Sequence, residues 1–395
     1  MPGPLEGVKV VDVSAVVSGP LAAMILADQG ASVVKIEPLG LGDIMRQNLN
    51  QRGGMTSFFA NCNRGKRSVA VDLKQERGVA LVKELVRDAD VFIQNWRPGA
   101  AERLGLGEDA LRALNPGLVY TSVSGYGPSG PYHDRPVYDP IIQGLTGHVA
   151  IQESPDFPIK DLVRNIVADK SSAYTAAQAI TAALFARERG AGGQNIHVPM
   201  IDASLAFFWP DGMMKHTLLG DGVQNPGALY EVYRIWPTAD GHLIYFAASP
   251  KELQALYRAL GHPEWSEDER FIVPGYLLPE NREMVGRLIM GEIEKRTTAD
   301  LVQAMVKEGV PVGPVHSIES MLEDPQITHN DRVYEEEHPA YGRFRGVKPA
   351  ARFSATPQQA GAAPPLLGEH TDEVLAELGY DADATRKLRE AGVVA

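Results

Sequence analysis

The chain has 395 residues, 44% of them apolar, and its 38 basic and 50 acidic side chains give a net charge of −12. That length and apolar content suit two domains with substantial cores. The acidic balance argues against a nucleic-acid or anionic-membrane partner, so an anionic ligand would have to be met by local basic groups.

The single cysteine and the N-terminus bear on the cellular compartment. Cys62 stands alone, which excludes an internal disulfide framework, and we expect it to pack as a small core residue. The start MPGPLEGVKVVDV lacks the basic segment and apolar run of a signal peptide, and no stretch reaches the length of a membrane span. We therefore expect a cytoplasmic protein without a membrane partner.

The first half of the chain alternates short apolar runs with amphipathic segments. Strands are predicted at 8–14, 32–38, 67–73, 90–96 and 118–127, with helices at 18–31, 75–89 and 109–115. This alternation predicts an α/β fold with a Rossmann-like parallel sheet, whose ligands lie beyond the carboxyl ends of the strands. The first turn carries Gly19 and Pro20 instead of GxGxxG, so we do not expect NAD or FAD.

A different rhythm begins after residue 224. A hairpin is predicted to turn at Asp240 and Gly241, and helices are predicted at 251–261 and 282–297. Residues 225–325 are thus expected to form a smaller α+β domain. The tail from 330 crosses proline- and alanine-rich stretches and is expected to return to the large domain, which comprises 1–200 and 330–395. Residues 201–224 and 326–330 would be linkers.

One carboxylate stands before an alanine-rich segment. Asp169 precedes a helix predicted at 171–186, where a negative charge gains from the helix N-terminus. The ordinary interpretation is that Asp169 is the N-cap residue, and the alternative is a nucleophile. The residues alone leave both open.

Several segments together point to one family. They are LEGVKVVDVSAVVSGPLAAMILADQGASVVKIEPLGLGD, NCNRGKRSVAVDLK, DVFIQNWRPGAAERLG, GYGPSGPYHDRPVYDPIIQGLTG, GVPVGPVHSIESMLEDP and APPLLGEHTDEVLAELG. In order and spacing they resemble the class III coenzyme A transferases (CaiB/BaiF type), which include the formyl-CoA:oxalate and carnitine CoA-transferases.

The resemblance implies an enzyme that moves CoA from an acyl-CoA to a carboxylic acid. Asp169 matches the family's catalytic aspartate, which forms a mixed anhydride and then a thioester with CoA. CoA is a substrate, and neither a permanently bound cofactor nor a metal is implied. The family also implies an interlocked homodimer.

The resemblance further implies a set of CoA-binding positions. They are Val17, Ser18, Val71, Leu73, Lys74, Asn95, Trp96, Arg97, Arg103, Arg135, Val137 and Tyr138. Arg103 would meet the pyrophosphate, while Arg135, Val137 and Tyr138 would line the pantetheine and thioester. Each of these basic side chains could instead be a solvated surface residue. Asp139 is expected to anchor its loop.

Some positions depart from the formyl-CoA:oxalate enzymes. Ala15 and Val17 stand where those enzymes carry histidine and glutamine, and Pro38 stands where they carry an arginine. Their glycine-rich loop has no match in NPGALYEVYRIWPTADG, residues 225–241. These differences argue against formyl or oxalate substrates, and Val17 predicts a more apolar acyl group. By analogy, succinyl-CoA is the first donor to test.

Two other functions are alternatives to CoA transfer. A 2-methylacyl-CoA racemase resembles the N-terminal half and needs a base on each face of the thioester. His133 and Asp134 match the HD pair of the racemase segment GHDxNY, but its flanking residues are missing, so transfer is preferred. A non-catalytic CoA-binding protein is the alternative of another class, and the presence of Asp169 argues against it.

Overall fold

The computed structural model describes residues 3–47, 49–153, 159–224, 227–271, 279–358 and 361–395. The chain divides into two compact units. The first comprises Met1–Asp221 and Asp331–Ala395, and the second comprises Gly222–Asn330. Among the described residues, none of the helices has both the length and the apolar character needed to cross a membrane.

The first unit is built on a six-stranded parallel sheet. Its strands are β1 (Lys9–Asp12), β2 (Ser32–Glu37), β3 (Lys66–Ala70), β4 (Val91–Gln94), β5 (Val119–Ser124) and β6 (Asn195–Pro199). Their order in the sheet is β3-β2-β1-β4-β5-β6. This is the doubly wound order, in which ligands collect where the strand order reverses beside β1. The prediction of a parallel α/β sheet is confirmed.

Helices cover the sheet on both faces. They are Ser18–Asp28, Ser57–Asn63, Glu76–Arg87, Ala100–Arg103, Glu108–Leu114, Asp139–Leu145, Val167–Ala186, Met200–Gly212, Thr371–Glu377 and Ala382–Glu390. Neighbouring residues of β4 point to opposite faces: Phe92 packs with Leu111, whereas Ile93 packs with Leu26 and Ile180. Two apolar layers therefore sandwich the sheet, as its β-branched strands require.

Several elements of the first unit were not predicted, among them one strand of the parallel sheet and two antiparallel pairs. β6 alternates Asn195 and His197 with Ile196 and Val198 and lies at the sheet edge, so it lacks a continuous apolar run. An antiparallel hairpin pairs Val333–His338 with Gly342–Val347, in a tail for which the sequence predicted only a return to the large domain. Its charged strands are largely exposed and give little hydrophobic periodicity. A short antiparallel pair joins Gln51–Arg52 to Met55–Thr56.

The second unit has its own antiparallel sheet and core. Its strands are Trp236–Pro237, His242–Tyr245 and Val312–Pro314, with the middle strand paired to both others. The predicted hairpin through Asp240 and Gly241 is confirmed. The helices are Pro250–Leu260, Pro279–Ile293, Thr298–Glu308, Ile318–Met321 and Pro325–Asn330. Leu243, Leu256 and Leu301 are fully buried in this core.

Candidate active site

Asp169 lies in the first turn of the Val167–Ala186 helix, which we call the Asp169 helix. The N-cap position belongs to Ile166, and Asp169 is the third helical residue. The free N–H groups of this helix end are met by Asp139, whose Oδ2 accepts from Ala168 N–H at 2.8 Å and from Asp169 N–H at 3.0 Å. The interpretation of Asp169 as the N-cap residue is therefore wrong, and its own side chain remains available for chemistry.

Asp139 is itself held in place. It is only 2% exposed, and Gln143 Nε2 donates to its Oδ1 at 2.5 Å. Gln143 also accepts from Val163 N–H at 2.9 Å, which ties the Asp139–Leu145 helix to the segment before the Asp169 helix. Hydrogen bonds therefore hold the Asp139 carboxylate at the N-terminus of the Asp169 helix.

Burial and charge change the acidity of Asp169. Asp169 is 9% exposed. Its burial, together with the negative charge of Asp139, raises the pKa of Asp169 to about 7. The backbone N–H of Ser18 acts in the opposite direction and favours the ionised form. Desolvation and a like charge both disfavour a carboxylate. A carboxyl group that titrates near neutrality in a cleft is a candidate catalytic group.

A cleft of about 230 Å³ opens beside Asp169. Predicted site residues that line it are Ser18, Asn95, Trp96, Arg97, Arg135, Val137 and Tyr138. Of the described residues along its wall, Asp169 is the only acid, whereas Arg97, His133 and Arg135 supply the basic groups. The cleft lies past the carboxyl ends of the sheet strands, where a doubly wound fold binds its ligand.

Two further clefts continue from the first. One of about 490 Å³ shares Trp96 with it and is also lined by Val71, Leu73 and Lys74. The next, of about 460 Å³, shares Leu73 and Lys74 and reaches Arg103. Eleven of the twelve predicted CoA-binding residues therefore line three neighbouring clefts that share lining residues, the first of which contains Asp169.

Val17 is the exception. Its side chain is 2% exposed and lines a separate cavity with Leu21 and Cys62. The expectation of an apolar acyl group rested on this side chain, and the geometry gives it no support. Ala15 and Pro38, two other departures, line the second cleft.

Three basic residues of the clefts form no ion pair with the acids that the structure describes, whereas Lys35 in the second cleft pairs with Asp43. Lys74, Arg97 and Arg103 are exposed, and their side chains form no ion pair or hydrogen bond with the residues that the structure describes. The Arg135 guanidinium lies over the Tyr132 ring, 3.8 Å from its centroid. In a chain of net charge −12, such uncompensated cations favour an anionic ligand with several charged groups.

The structure also places Cys62 and the His133–Asp134 pair, which the sequence analysis considered as functional residues. Cys62 is buried, and burial raises the pKa of its thiol to about 11, so it stays protonated as a packing residue should. His133 is exposed in the cleft, with Nδ1 3.0 Å from the Gly130 carbonyl oxygen. Asp134 is exposed and is not part of the cleft wall.

The sequence interpretation missed the side chains that shape the loop before Ser18. Asn95 was assigned to CoA, yet its carboxamide bonds to both backbone groups of Ala15. Asp43, which was not singled out, accepts from Val16 N–H at 3.2 Å. The available signal was the occurrence of Asp12 and Lys35 inside otherwise apolar strands, which indicates a buried charge network.

Comparison with known proteins gives a consistent picture. A family model described as CoA-transferase family III matches residues 5–371. The chain is 35% identical to a succinate–glutarate CoA-transferase of Agrobacterium fabrum, covering 95% of this chain and 96% of the relative. It is 32% identical to the succinyl-CoA:glutarate CoA-transferase of Mus musculus, covering 99% and 90%.

A solved structure supports the same relationship. The crystal structure of a CaiB/BaiF family protein from Brucella suis has 30% sequence identity and a TM-score of 0.83. The match covers 96% of this chain and 100% of that one.

Proposed function

The chain belongs to CoA-transferase family III and is an enzyme of the CoA-transferase type, and we propose that it transfers CoA through covalent intermediates on Asp169. The observation that carries the proposal is a buried carboxyl group with a pKa of about 7 in a cleft lined by Arg97 and Arg135, next to clefts that reach Lys74 and Arg103. A nucleophile and an anion-binding path are what transfer from an acyl-CoA requires.

The reaction proceeds in four displacements. The ionised Asp169 attacks the thioester carbonyl of the donor, releasing CoA thiolate and leaving a mixed anhydride. The thiolate then attacks the aspartyl carbonyl, which releases the donor acid and leaves an aspartyl-CoA thioester. The acceptor carboxylate attacks this thioester, freeing the thiolate and forming a second mixed anhydride. Attack of the thiolate on the acceptor's acyl carbonyl yields the product and restores Asp169.

The surroundings of Asp169 suit these steps. Burial and Asp139 make the carboxylate more basic than an ordinary aspartate, and at neutral pH a large fraction is still ionised. Each displacement passes through a tetrahedral oxyanion, which nearby backbone N–H groups stabilise. The Ser18 amide, which already favours the ionised Asp169, is suited to this role.

The clefts suit the parts of CoA in order. We assign the phosphates to Lys74 and Arg103, since charge-assisted bonds to phosphate need uncompensated bases. The adenosine and pantetheine would pack along Val71, Leu73 and Trp96, with Arg97 beside them. Arg135, Val137 and Tyr138 would line the thioester end, next to Asp169.

Dicarboxylic acids are the proposed substrate class. Relatives at 32–35% identity carry the names of succinyl-CoA:glutarate and succinate–glutarate CoA-transferases. The basic groups of His133 and Arg135 beside Asp169 would suit the second carboxylate of such an acyl group. The racemase alternative is not favoured, because these relatives are transferases.

The assembly is also a proposal. The family resemblance implies an interlocked homodimer with a CoA-binding large domain made of 1–200 and 330–395, a small domain of 225–325, and linkers at 201–224 and 326–330. Sedimentation equilibrium of the full chain tests the dimer, which should have twice the 42.8 kDa chain mass.

The decisive experiment combines exchange with trapping. Succinyl-CoA is incubated with a panel of carboxylic acids, and new acyl-CoA species are read by mass spectrometry. Hydroxylamine added during turnover should inactivate the enzyme and convert Asp169 to a hydroxamate. Asp169→Asn should abolish exchange while CoA affinity stays within about threefold, because the carboxylate acts in the covalent steps. Asp161→Asn, a nearby exposed acid, is the control. Full exchange by Asp169→Asn would overturn the proposal.

A further inference from the structure

The loop formed by residues 14–18 has an unfavourable backbone conformation. Val16 has a φ of +69°. Among the described residues, the other non-glycine positions with positive φ are Leu49 and Asp331, so Val16 is the one with a β-branched side chain. Such a residue rarely adopts this conformation unless the surrounding structure imposes it.

Two side chains from distant elements bind the backbone of this loop. Asn95, just after β4, accepts from Ala15 N–H at 2.8 Å and donates from Nδ2 to the Ala15 carbonyl at 2.6 Å. Asp43 Oδ1 accepts from Val16 N–H at 3.2 Å. The two peptide groups that precede the strained position, 14–15 and 15–16, are therefore tied to the sheet and to the segment after β2.

Buried charges fix these ties. Lys35 Nζ lies 3.2 Å from Asp43 Oδ2 and donates to the Ser14 carbonyl at 2.8 Å. Asp12 Oδ1 accepts from Ser14 N–H at 2.9 Å. Asp12, Lys35 and Asp43 are each 2% exposed or less. Because a buried charge without its partner is costly, this network resists rearrangement.

The loop leads directly to Asp169. Val16 and Ser18 line the same cleft as Asp169, and the Ser18 N–H is the group that favours its ionised form. Ser18 also begins the Ser18–Asp28 helix, whose N-terminus has no side-chain cap. The Ser18 N–H lies two residues after Val16, at the point where the loop enters this helix.

From these contacts we propose that Asn95 and Asp43 are positioning residues, which hold the loop in its strained conformation so that the Ser18 N–H is directed at the Asp169 carboxylate and at the oxyanions formed there. The inference rests on the proposed function of Asp169. It gives Asn95 a role through the loop, separate from any contact with CoA.

Other charged groups around Asp169 stay unchanged in the test. Asp139 faces it from the neighbouring helix, and Cys62 lies close enough for Asp169 to act on its thiol. Arg97, His133 and Arg135 share the cleft. None of them is altered by a change at residues 16 or 95.

The test is a double-mutant cycle between Asn95→Ala and Val16→Gly. Releasing the loop should lower kcat about 10- to 100-fold and change KM for the acyl-CoA less than about threefold, since a misdirected oxyanion donor acts on the transition state. Glycine adopts positive φ without strain, so in the Val16→Gly background the same Asn95→Ala change should cost less than about threefold.

A matched control and a second variant sharpen the result. Asn115→Ala removes another carboxamide that bonds to backbone, at the Val86 and Ala89 carbonyls away from the clefts, and should leave kcat unchanged. Asn95→Asp keeps the side-chain shape but replaces the donor to the Ala15 carbonyl with an acceptor, and should act in the same direction as Asn95→Ala. A kcat within twofold of wild type in Asn95→Ala, or an equal loss in both backgrounds, would overturn the proposal.

A measurement without substrate separates this proposal from the proposed function. The Asp169 carboxyl is titrated by ¹³C NMR and assigned by its loss in Asp169→Asn. Its pKa should rise in Asn95→Ala, because the Ser18 N–H no longer stabilises the charge. If wild type exchanges no CoA but this shift occurs, the transferase proposal fails and the positioning role stands. An unchanged pKa would overturn the positioning role even in an active transferase.

Discussion

The Asp139 carboxylate caps the helix that carries Asp169, accepting the N–H groups of Ala168 and of Asp169 itself at 2.8 and 3.0 Å. The Asp139 carboxylate therefore takes the hydrogen bonds at the helix N-terminus, and the negative charge of Asp169 is stabilised less than that of Asp139. The arrangement separates the roles of two neighbouring carboxylates by their environment: one anchors the helix, and the other titrates near neutral pH.

This relationship predicts the pH dependence of the reaction. Asp169 attacks as a carboxylate, so kcat/KM should rise with pH through an apparent pKa of about 7. Asp139→Asn removes the neighbouring negative charge, so this limb should move to lower pH. Initial rates between pH 5 and 9 test this shift, and a limb that stays in place would show that Asp139 acts only structurally.

The Asp139→Asn change also disturbs the hydrogen bond from Gln143. It should therefore lower the free energy of unfolding by about 1–3 kcal/mol.

A second prediction concerns stability. Because the folded-state pKa of Asp169 is raised above that of the unfolded chain, the folded protein binds the proton more tightly, and this stabilisation is lost as pH rises towards 7. Asp169→Asn has no proton to lose. The free energy of unfolding of Asp169→Asn minus that of wild type should therefore increase by about 1–3 kcal/mol between pH 5 and 8.

Urea unfolding at several pH values measures this difference. The control is Asp161→Asn, whose carboxyl is exposed and paired with Arg164, and whose pKa is lowered by that pairing. Its difference from wild type should stay constant over this pH range. A constant difference for Asp169→Asn as well would contradict the raised pKa.

The close approach of the 14–18 loop to the following helix gives a third prediction. A Cβ atom at Gly19 would lie 2.3 Å from Ser14 Cβ and 2.4 Å from its Oγ. Gly19→Ala should therefore lower the free energy of unfolding by about 1–3 kcal/mol, as overpacking does. Gly291→Ala, at a helical position with open space around it, should instead raise it by about 0.5–1 kcal/mol. Thermal unfolding compares them, and equal effects would contradict the close approach.

The assignment of Arg103 to phosphate gives a fourth prediction. Arg103→Ala should weaken binding of CoA by about 1.5–3 kcal/mol and leave pantetheine thioesters, which lack the nucleotide phosphates, nearly unaffected. Arg386→Ala on the C-terminal helix, where the guanidinium pairs with Asp383 and Glu390, is the control. Calorimetry measures the affinity for both ligands. Equal losses of affinity for CoA and for the pantetheine thioester would mean that Arg103 stabilises the fold and does not bind phosphate.

The parts of this molecule that could be predicted from sequence are local. A few neighbouring residues are enough to predict the apolar, β-branched strands β1 and β2 and the helix between them. The same is true of the turn at Asp240 and Gly241 and of the helix that contains the alanine-rich segment after Asp169. Strands without an apolar run, such as β6, escape this reasoning because the sheet edge tolerates polar side chains.

The parts that could not be predicted depend on contacts between distant residues. The Asn95 and Asp43 bonds to the 14–18 loop join positions 80 and 27 residues apart, and nothing in the neighbouring sequence indicates them. The same holds for the cap that Asp139 provides 29 residues before Ala168. The neighbouring sequence also does not indicate that Val17, directly after the strained Val16, lines a cavity other than the Asp169 cleft.

The final prediction separates transfer from racemisation. In deuterated water a racemase must exchange the α-proton of a 2-methylacyl-CoA without an acceptor acid, because an abstracted proton can wash out before it returns. A transferase instead moves CoA to an added carboxylate and leaves the α-carbon untouched. His133 lines the cleft and Asp134 does not, so the structure brings only one member of the HD pair to Asp169. We expect CoA transfer to an added acid without deuterium uptake, read by mass spectrometry of the acyl-CoA. His133→Ala should leave any slow background uptake unchanged. Deuterium entering at a catalytic rate without an acceptor, and lost in His133→Ala, would instead assign Asp169 and His133 as an acid and base pair.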